Sequence, residues 1–273
     1  MKKLLKSQIE FLCCAMGRWN KNDLKVYLDE KAEQYENAGF LETDPLGILH
    51  ELDHPTDQEI LGLLVATIAW GNRASIIKSG LELLKRLDHQ PHNFIVNATE
   101  MELKQMSKGF VHRTFNENDL LFFLTSLKRA YAQTSSLESF FVSSESRLDN
   151  GIIDLRNFLL KTPHEVRTRK HLADPEKSSA SKRLHLYLRW MVRSANKGVD
   201  LGIWKQVKTS QLSCPLDVHS GRIARSLGLL TRKQNDLRAV MELDSKLRAF
   251  DSNDPVKYDF ALFGIGAFEF VDL

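Results

Sequence analysis

An apolar run, Ile60-Leu61-Gly62-Leu63-Leu64-Val65-Ala66-Thr67-Ile68-Ala69-Trp70, constrains this chain more than any other segment. Thr56-Asp57-Gln58-Glu59 precedes it with the pattern of a capping box, and Gly71 follows it as a stop. A helix apolar on most sides is stable only when other helices surround it, so the pattern predicts the centre of a bundle. Neither this run nor any other reaches the roughly 18 apolar residues a membrane span requires.

The remaining periodicity is helical as well. Asn97 is expected to cap a helix ending at Gly109, and Asn116 to open one whose buried stripe is Leu120, Phe123, Leu124, Leu127 and Tyr131. Asp254-Pro255 reads as an N-cap with a first-turn proline, opening a helix through Tyr258, Ala261, Leu262 and Ile265. No run alternates with β-branched residues, so the expected fold is all-α with essentially no sheet. Ser135–Ser146 and Lys161–Ser181 read as loops; the second is long enough to suggest a functional role.

Three cysteines, Cys13, Cys14 and Cys214, cannot build a disulfide framework and fit a reducing compartment. The Met1–Arg18 segment, its apolar part broken by Gln8 and Glu10, reads as mature protein, which implies a cytoplasmic location. Net charge is only +3, but ten Lys/Arg against three acids between Lys161 and Lys197 make that segment +7 and the rest of the chain −4. So concentrated a basic stretch is either a solvated surface or a face for phosphates.

His50-Glu51-Leu52-Asp53-His54 matches the H-E-x-x-H pattern of zinc hydrolases. Pro55 biases His54 away from helical geometry, so the segment reads as a helix end with surface histidines, and neither metal nor cofactor is expected. A stronger constellation starts at Lys182. Wound at 100° per residue, Arg189 and Arg193 fall within about 20° of Lys182 and His185 within about 60°, opposite an apolar face of Leu184, Leu188 and Met191. This is an amphipathic helix with a basic face. Farther on, Asp217 and Gly228 stand where the N-cap and C-cap of the next helix are wanted.

Pro215-Leu216-Asp217-Val218-His219-x-x-Arg222-x-x-x-x-Leu227-Gly228 resembles the aspartate-bearing helix of the helix-hairpin-helix DNA glycosylase superfamily. Lys182 opens a helix where bifunctional members place their catalytic lysine. The 35-residue interval to Asp217 is similar to the archaeal 8-oxoguanine glycosylase branch. Ser178-Ser179-Ala180-Ser181 stands where other members carry a glycine-rich hairpin, and the four-cysteine segment of endonuclease III-like members has no counterpart in these residues. More closely, Ala69-Trp70-Gly71-Asn72-Arg73, Phe110-Val111-His112-Arg113-Thr114-Phe115 and Leu188-Arg189-Trp190-Met191-Val192-Arg193 resemble stretches of a bacterial domain-of-unknown-function family.

The superfamily resemblance implies a two-lobed helical fold, one lobe over residues 57–200 and the other formed by 1–56 with 201–273. It implies a DNA glycosylase with β-lyase activity on damaged bases, oxidised ones included. Lys182 would form a Schiff base with the sugar, and Asp217 would take a proton and stabilise the sugar cation. Arg183, Arg189, Arg193, His219, Arg222, His112 and Arg113 would contact the duplex. Trp70, Phe110, Phe115 and Trp190 are either core residues or aromatics of the base pocket. The alternative is a non-catalytic or differently specialised nucleic-acid-binding protein on the same fold.

Overall fold

The computed structural model describes residues 20–143 and 145–269. It is all-helical there, and its only strand-like pairing is an isolated bridge between His112 and Phe115. Helix α1 (Lys21–Tyr35) is followed by 3-10 turns at Ala38–Thr43 and Pro45–Glu51, then by α2 (Pro55–Thr67), α3 (Arg73–Arg86), α4 (Pro91–Asn97) and α5 (Glu100–Ser107). Next come α6 (Glu117–Tyr131), α7 (Asp149–Leu159), α8 (Lys182–Val192), α9 (Val218–Ser226), α10 (Leu237–Arg248) and α11 (Tyr258–Gly264), which runs into a π-turn at Ile265–Glu269. No described helix is long and apolar enough to cross a membrane. Met1–Arg18, with Cys13 and Cys14, lies outside the described residues; Cys214 is buried and forms no disulfide among the described residues.

The apolar run is the central helix. Every residue of α2 from Glu59 to Thr67 is buried, and α3, α4 and α8 pack around it. Gly62 permits that closeness, since a Cβ there would lie 2.9 Å from Met191 Cε and 3.0 Å from Leu49 Cδ2. The expected capping box is not what starts the helix. Pro55 occupies the first turn, where its missing N–H costs nothing, and His54 is the N-cap. Asp57 instead accepts the His92 amide at 2.7 Å. Glu59 is buried under four donors: the Leu137 amide, Ser136 Oγ, Tyr131 OH and Trp204 Nε1.

Other helix starts agree in part with the sequence. Asn116 caps α6 through the amides of Asn118 and Asp119, and Leu120, Phe123, Leu124 and Leu127 are buried while Tyr131 is half-buried. Asn97 is not a cap; it ends α4, and Thr99 opens α5 in a capping box with Glu102. Asp254-Pro255 opens a single 3-10 turn before α11, and the Asp254 carboxylate turns to Arg193 instead of its own helix. The two long loops are partly wound into 3-10 turns, with Leu137, Phe141 and His171 buried.

Among the described residues two hydrophobic cores form, where the sequence predicts one lobe over 57–200 and another from 1–56 with 201–273. The larger runs from Phe40 to Leu212 and takes in Val256 and Phe260. The smaller unites Leu28 and Ala32 of α1 with residues from Cys214 to Ile265. Leu46, Ile48 and Leu49 join the larger core because the turn at Pro45–Glu51 packs on α2 and α3.

His171 and His185 lie inside this packing. Burial pulls His171 down to about 4 against the opposing charge of Asp119. Burial likewise pulls His185 down to about 4, outweighing Asp244 and Asp149 and aided by Arg147 and Arg248. Below about pH 6.5 the unfolded chain therefore binds more protons than the folded one, and stability falls as pH drops from there through 4. The loss is up to roughly 3 kcal/mol for each histidine. Thermal unfolding between pH 7 and 4.5 should show this decline, and His185→Gln should make it shallower. A wild-type melting temperature independent of pH over that range would refute the assignment.

Candidate active site

Helix α9 is started by Asp217, whose Oδ1 accepts the Ser220 amide at 2.9 Å while Ser220 Oγ receives the Asp217 amide at 2.9 Å. This reciprocal cap fixes the carboxylate through Oδ1 and leaves Oδ2 for another partner. Helix α8 begins at Lys182, directly after Ser181, a left-handed residue with φ 48° that provides no side-chain cap. The two helix starts meet: Lys182 Nζ lies 3.2 Å from Asp217 Oδ2. The lysine side chain is 37 % exposed and the aspartate 15 %, so the pair is open to solvent on the lysine side. Burial acts to raise the Asp217 carboxyl, but the Lys182 charge and the Ser220 amide outweigh it and hold it below its ordinary value.

The pair sits in a cavity of about 550 Å³ whose other walls include Phe40, Trp70, Phe263 and Phe268 and the polar groups of Asp44, Arg73, Asp259 and His219. Such a volume and such mixed walls suit a ligand of base or nucleoside size. Burial raises Asp259 to about 6, with Asp217 adding to the rise and Arg189 opposing it. A second open groove of about 700 Å³ shares Ala69, Trp70 and Lys182 with the first. Arg169, Lys170, Lys177 and the turn Ser178–Ser181 line it, and the side chains of Arg169, Lys170 and Lys177 are exposed. Ser178 also has positive φ, at 63°, and its carbonyl accepts the Leu237 amide at 3.0 Å.

Several residues expected to touch DNA are engaged internally. Arg189 and Arg193 are only 2 % and 5 % exposed, because α1, α11 and the 195–204 segment cover the helix face that winding alone left open. Arg189 Nε donates to Asp200 at 3.2 Å and its Nη1 to Asp259; Arg193 donates to Glu36 at 2.6 Å, to Asp200 at 2.7 Å and to Asp254. Arg183 donates to the Thr67 and His171 carbonyls and lies over the Trp70 ring, and burial pulls it down to about 10. His112 is buried against Ser79 Oγ at 2.9 Å, with its ring edge-on to Trp70. Arg222 donates to the Gly266 carbonyl at 3.1 Å. His219 and Arg113 are exposed: His219 lies edge-on to Phe263 at the cavity, and Arg113 crosses over Gly71. Of the four aromatics considered, Phe110, Phe115 and Trp190 are buried in the core and Trp70 lines both cavities.

The sequence left Asp44, Arg73, Asp259, Phe40, Phe263 and Phe268 unassigned. Arg73 alone carried a signal, as the last residue of Trp70-Gly71-Asn72-Arg73. His50 and His54 are exposed but do not share a helical face. Pro45–Glu51 is a 3-10 turn, Leu52 is extended, and His50 Nε2 lies 2.7 Å from the Val199 carbonyl.

Residues 44–268 match a family model described as "Protein of unknown function (DUF2400)". The chain belongs to that family. No curated protein and no solved structure matches it. Lys182, Asp217 and every cavity residue named above except Phe40 fall within the DUF2400 match.

The burial of Arg193 makes it a stability residue. Arg193→Ala leaves Glu36, Asp200 and Asp254 short of a partner and should cost about 3–5 kcal/mol in urea unfolding. A cost below about 1 kcal/mol would mean that the cluster is not sealed from water.

Proposed function

We propose that this protein binds duplex DNA and excises a damaged base, using Lys182 as the nucleophile and Asp217 as its acid–base partner. The 3.2 Å separation of Lys182 Nζ and Asp217 Oδ2 in a base-sized cavity is the observation that carries the reading. An amine and a carboxylate that act on one sugar carbon must reach it together. The resemblance to bifunctional helix-hairpin-helix glycosylases supplies the same pairing of roles.

In this reading the damaged nucleotide is flipped out of the duplex at a cost of a few kcal/mol, repaid by the cavity and by phosphate contacts. Its base stacks on the aromatic walls around Trp70 and Phe263. The sugar parts the ion pair, and the Lys182 amine, its proton passed to Asp217, attacks C1′. The glycosidic C–N bond breaks and its electron pair leaves with the base, which takes up the proton that Asp217 received. Ring opening gives the protonated Schiff base. Loss of a C2′ proton then expels the 3′ phosphate, and water releases the lysine. Having passed its proton to the departing base, Asp217 is ionised again and stabilises the cationic Schiff base. The groove beside the cavity, with Arg169, Lys170 and Lys177, holds the phosphate backbone where relatives in the superfamily use a glycine-rich hairpin.

Borohydride should reduce the Schiff base to a stable protein–DNA adduct on duplexes carrying an abasic site or 8-oxoguanine. Lys182→Gln should abolish the adduct while retaining most binding. Asp217→Asn should bind at least as well and keep its helix cap, yet turn over poorly, because an amide cannot take the proton. No adduct from wild type on any lesion, with binding intact, would favour the non-catalytic alternative.

Binding itself should be salt-sensitive. If three to five phosphates are neutralised, log affinity should fall against log salt with a slope of about −3 to −4.5. Replacing Arg169, Lys170 and Lys177 together by Gln should flatten that slope. A flat wild-type line would remove nucleic acid as the partner.

A further inference from the structure

Within the cavity, the cations are not equally committed. Lys182 faces Asp217, and Arg189 is held by two carboxylates. Among the described residues Arg73 has only long contacts: Nη1 to Thr43 Oγ1 at 3.5 Å and Nη2 to Asp44 Oδ2 at 3.6 Å. Its guanidinium lies over the Phe263 ring, 4.8 Å from the centroid, and its side chain is 29 % exposed. Stacking occupies a face of the guanidinium and leaves its in-plane N–H groups for a planar partner.

Asp44 is complementary. Its Oδ1 accepts the Leu46 amide at 3.0 Å, which anchors the carboxylate at the start of the Pro45–Glu51 turn, and among the described residues Oδ2 has only the long contact to Arg73. Arg73 is likewise anchored, as the first residue of α3 behind the Asn72 cap. Two short, fixed starts thus set a cationic donor beside a carboxylate acceptor on one cavity wall. A phosphate would suit the arginine but would face the carboxylate. A neutral ring bearing a carbonyl oxygen and a nearby N–H satisfies both.

We propose that Arg73 and Asp44 are the base-reading pair of this cavity, selecting bases that carry a carbonyl oxygen and a ring N–H, of the hypoxanthine, uracil and oxidised-guanine type. The inference rests on the base excision proposed above. Adenine-derived lesions such as 1,N6-ethenoadenine and 3-methyladenine have no carbonyl oxygen and offer Arg73 only ring nitrogens. A site built to hydrogen-bond such an oxygen discriminates strongly against bases that lack it, because its own polar groups are then left unpaired.

The test separates base reading from the lysine chemistry. Single-turnover base release is measured on duplexes with hypoxanthine, uracil or 8-oxoguanine and on duplexes with the two adenine lesions. Borohydride trapping on an abasic duplex, which keeps the phosphates but has no base, measures Lys182 alone. Wild type should release at least one carbonyl-bearing base and neither adenine lesion. Arg73→Met should lower that release at least about tenfold while abasic-site trapping stays within about twofold. Asp44→Asn keeps the bond to Leu46 and should reduce release of the same bases. Release of the adenine lesions by wild type, or equal loss of abasic trapping in Arg73→Met, would overturn the base-reading role and leave the glycosylase reading standing. Absence of abasic trapping in wild type would overturn both.

Discussion

Two arginines on one helix organise this protein. Arg189 and Arg193 end α8 inside a cluster formed by Glu36 after α1, Asp200, Asp254 and Asp259 of α11, with Phe260 beneath both guanidinium groups. Charges taken this far from water cost several kcal/mol each, so they persist only where the pairing is close and multiple. Here each arginine has at least two carboxylate partners. Because the acids come from different parts of the chain, the cluster fastens the larger core to the smaller one. It also fixes α8, and with it the position of Lys182 at the other end of the helix.

The cluster holds four carboxylates for two guanidinium groups, and the imbalance is felt at Asp259. Burial and neighbouring acids lift that carboxyl to about 6 beside the cavity that contains Lys182 and Asp217. The cavity floor is therefore continuous with the ionic core. A side chain in the cavity changes its charge in the field of that core, and Arg189 belongs to both.

Trp70 connects the other two features of the surface. It borders both the cavity and the basic groove, stacked on His171, edge-on to His112, with Arg183 over its ring. A rim residue held from several directions offers a rigid platform, which lowers the ordering cost of anything that stacks on it. His112 and Arg183 thus serve the surface by holding Trp70 and the backbone around it.

The sequence alone determined what depends on neighbours along the chain. The absence of β alternation, the apolar run of α2, the cap at Asn116 and the cap by Asp217 at the start of α9 are local, because side-chain period and capping act over a few residues. Lys182 and Asp217 were legible as a pair through the resemblance, but their 3.2 Å approach is a property of how α8 and α9 pack. Tertiary structure decided the rest. It turned the Glu59 carboxylate from a supposed cap into a buried acceptor for Trp204 and Tyr131, and it sealed Arg189 and Arg193 beneath α1 and α11. It also brought Asp44 and Arg73 to the wall of the cavity. A helical wheel gives a side chain's direction but not what stands opposite. Here the opposing groups lie up to 157 residues away, so only the packed chain could tell a surface arginine from a buried one.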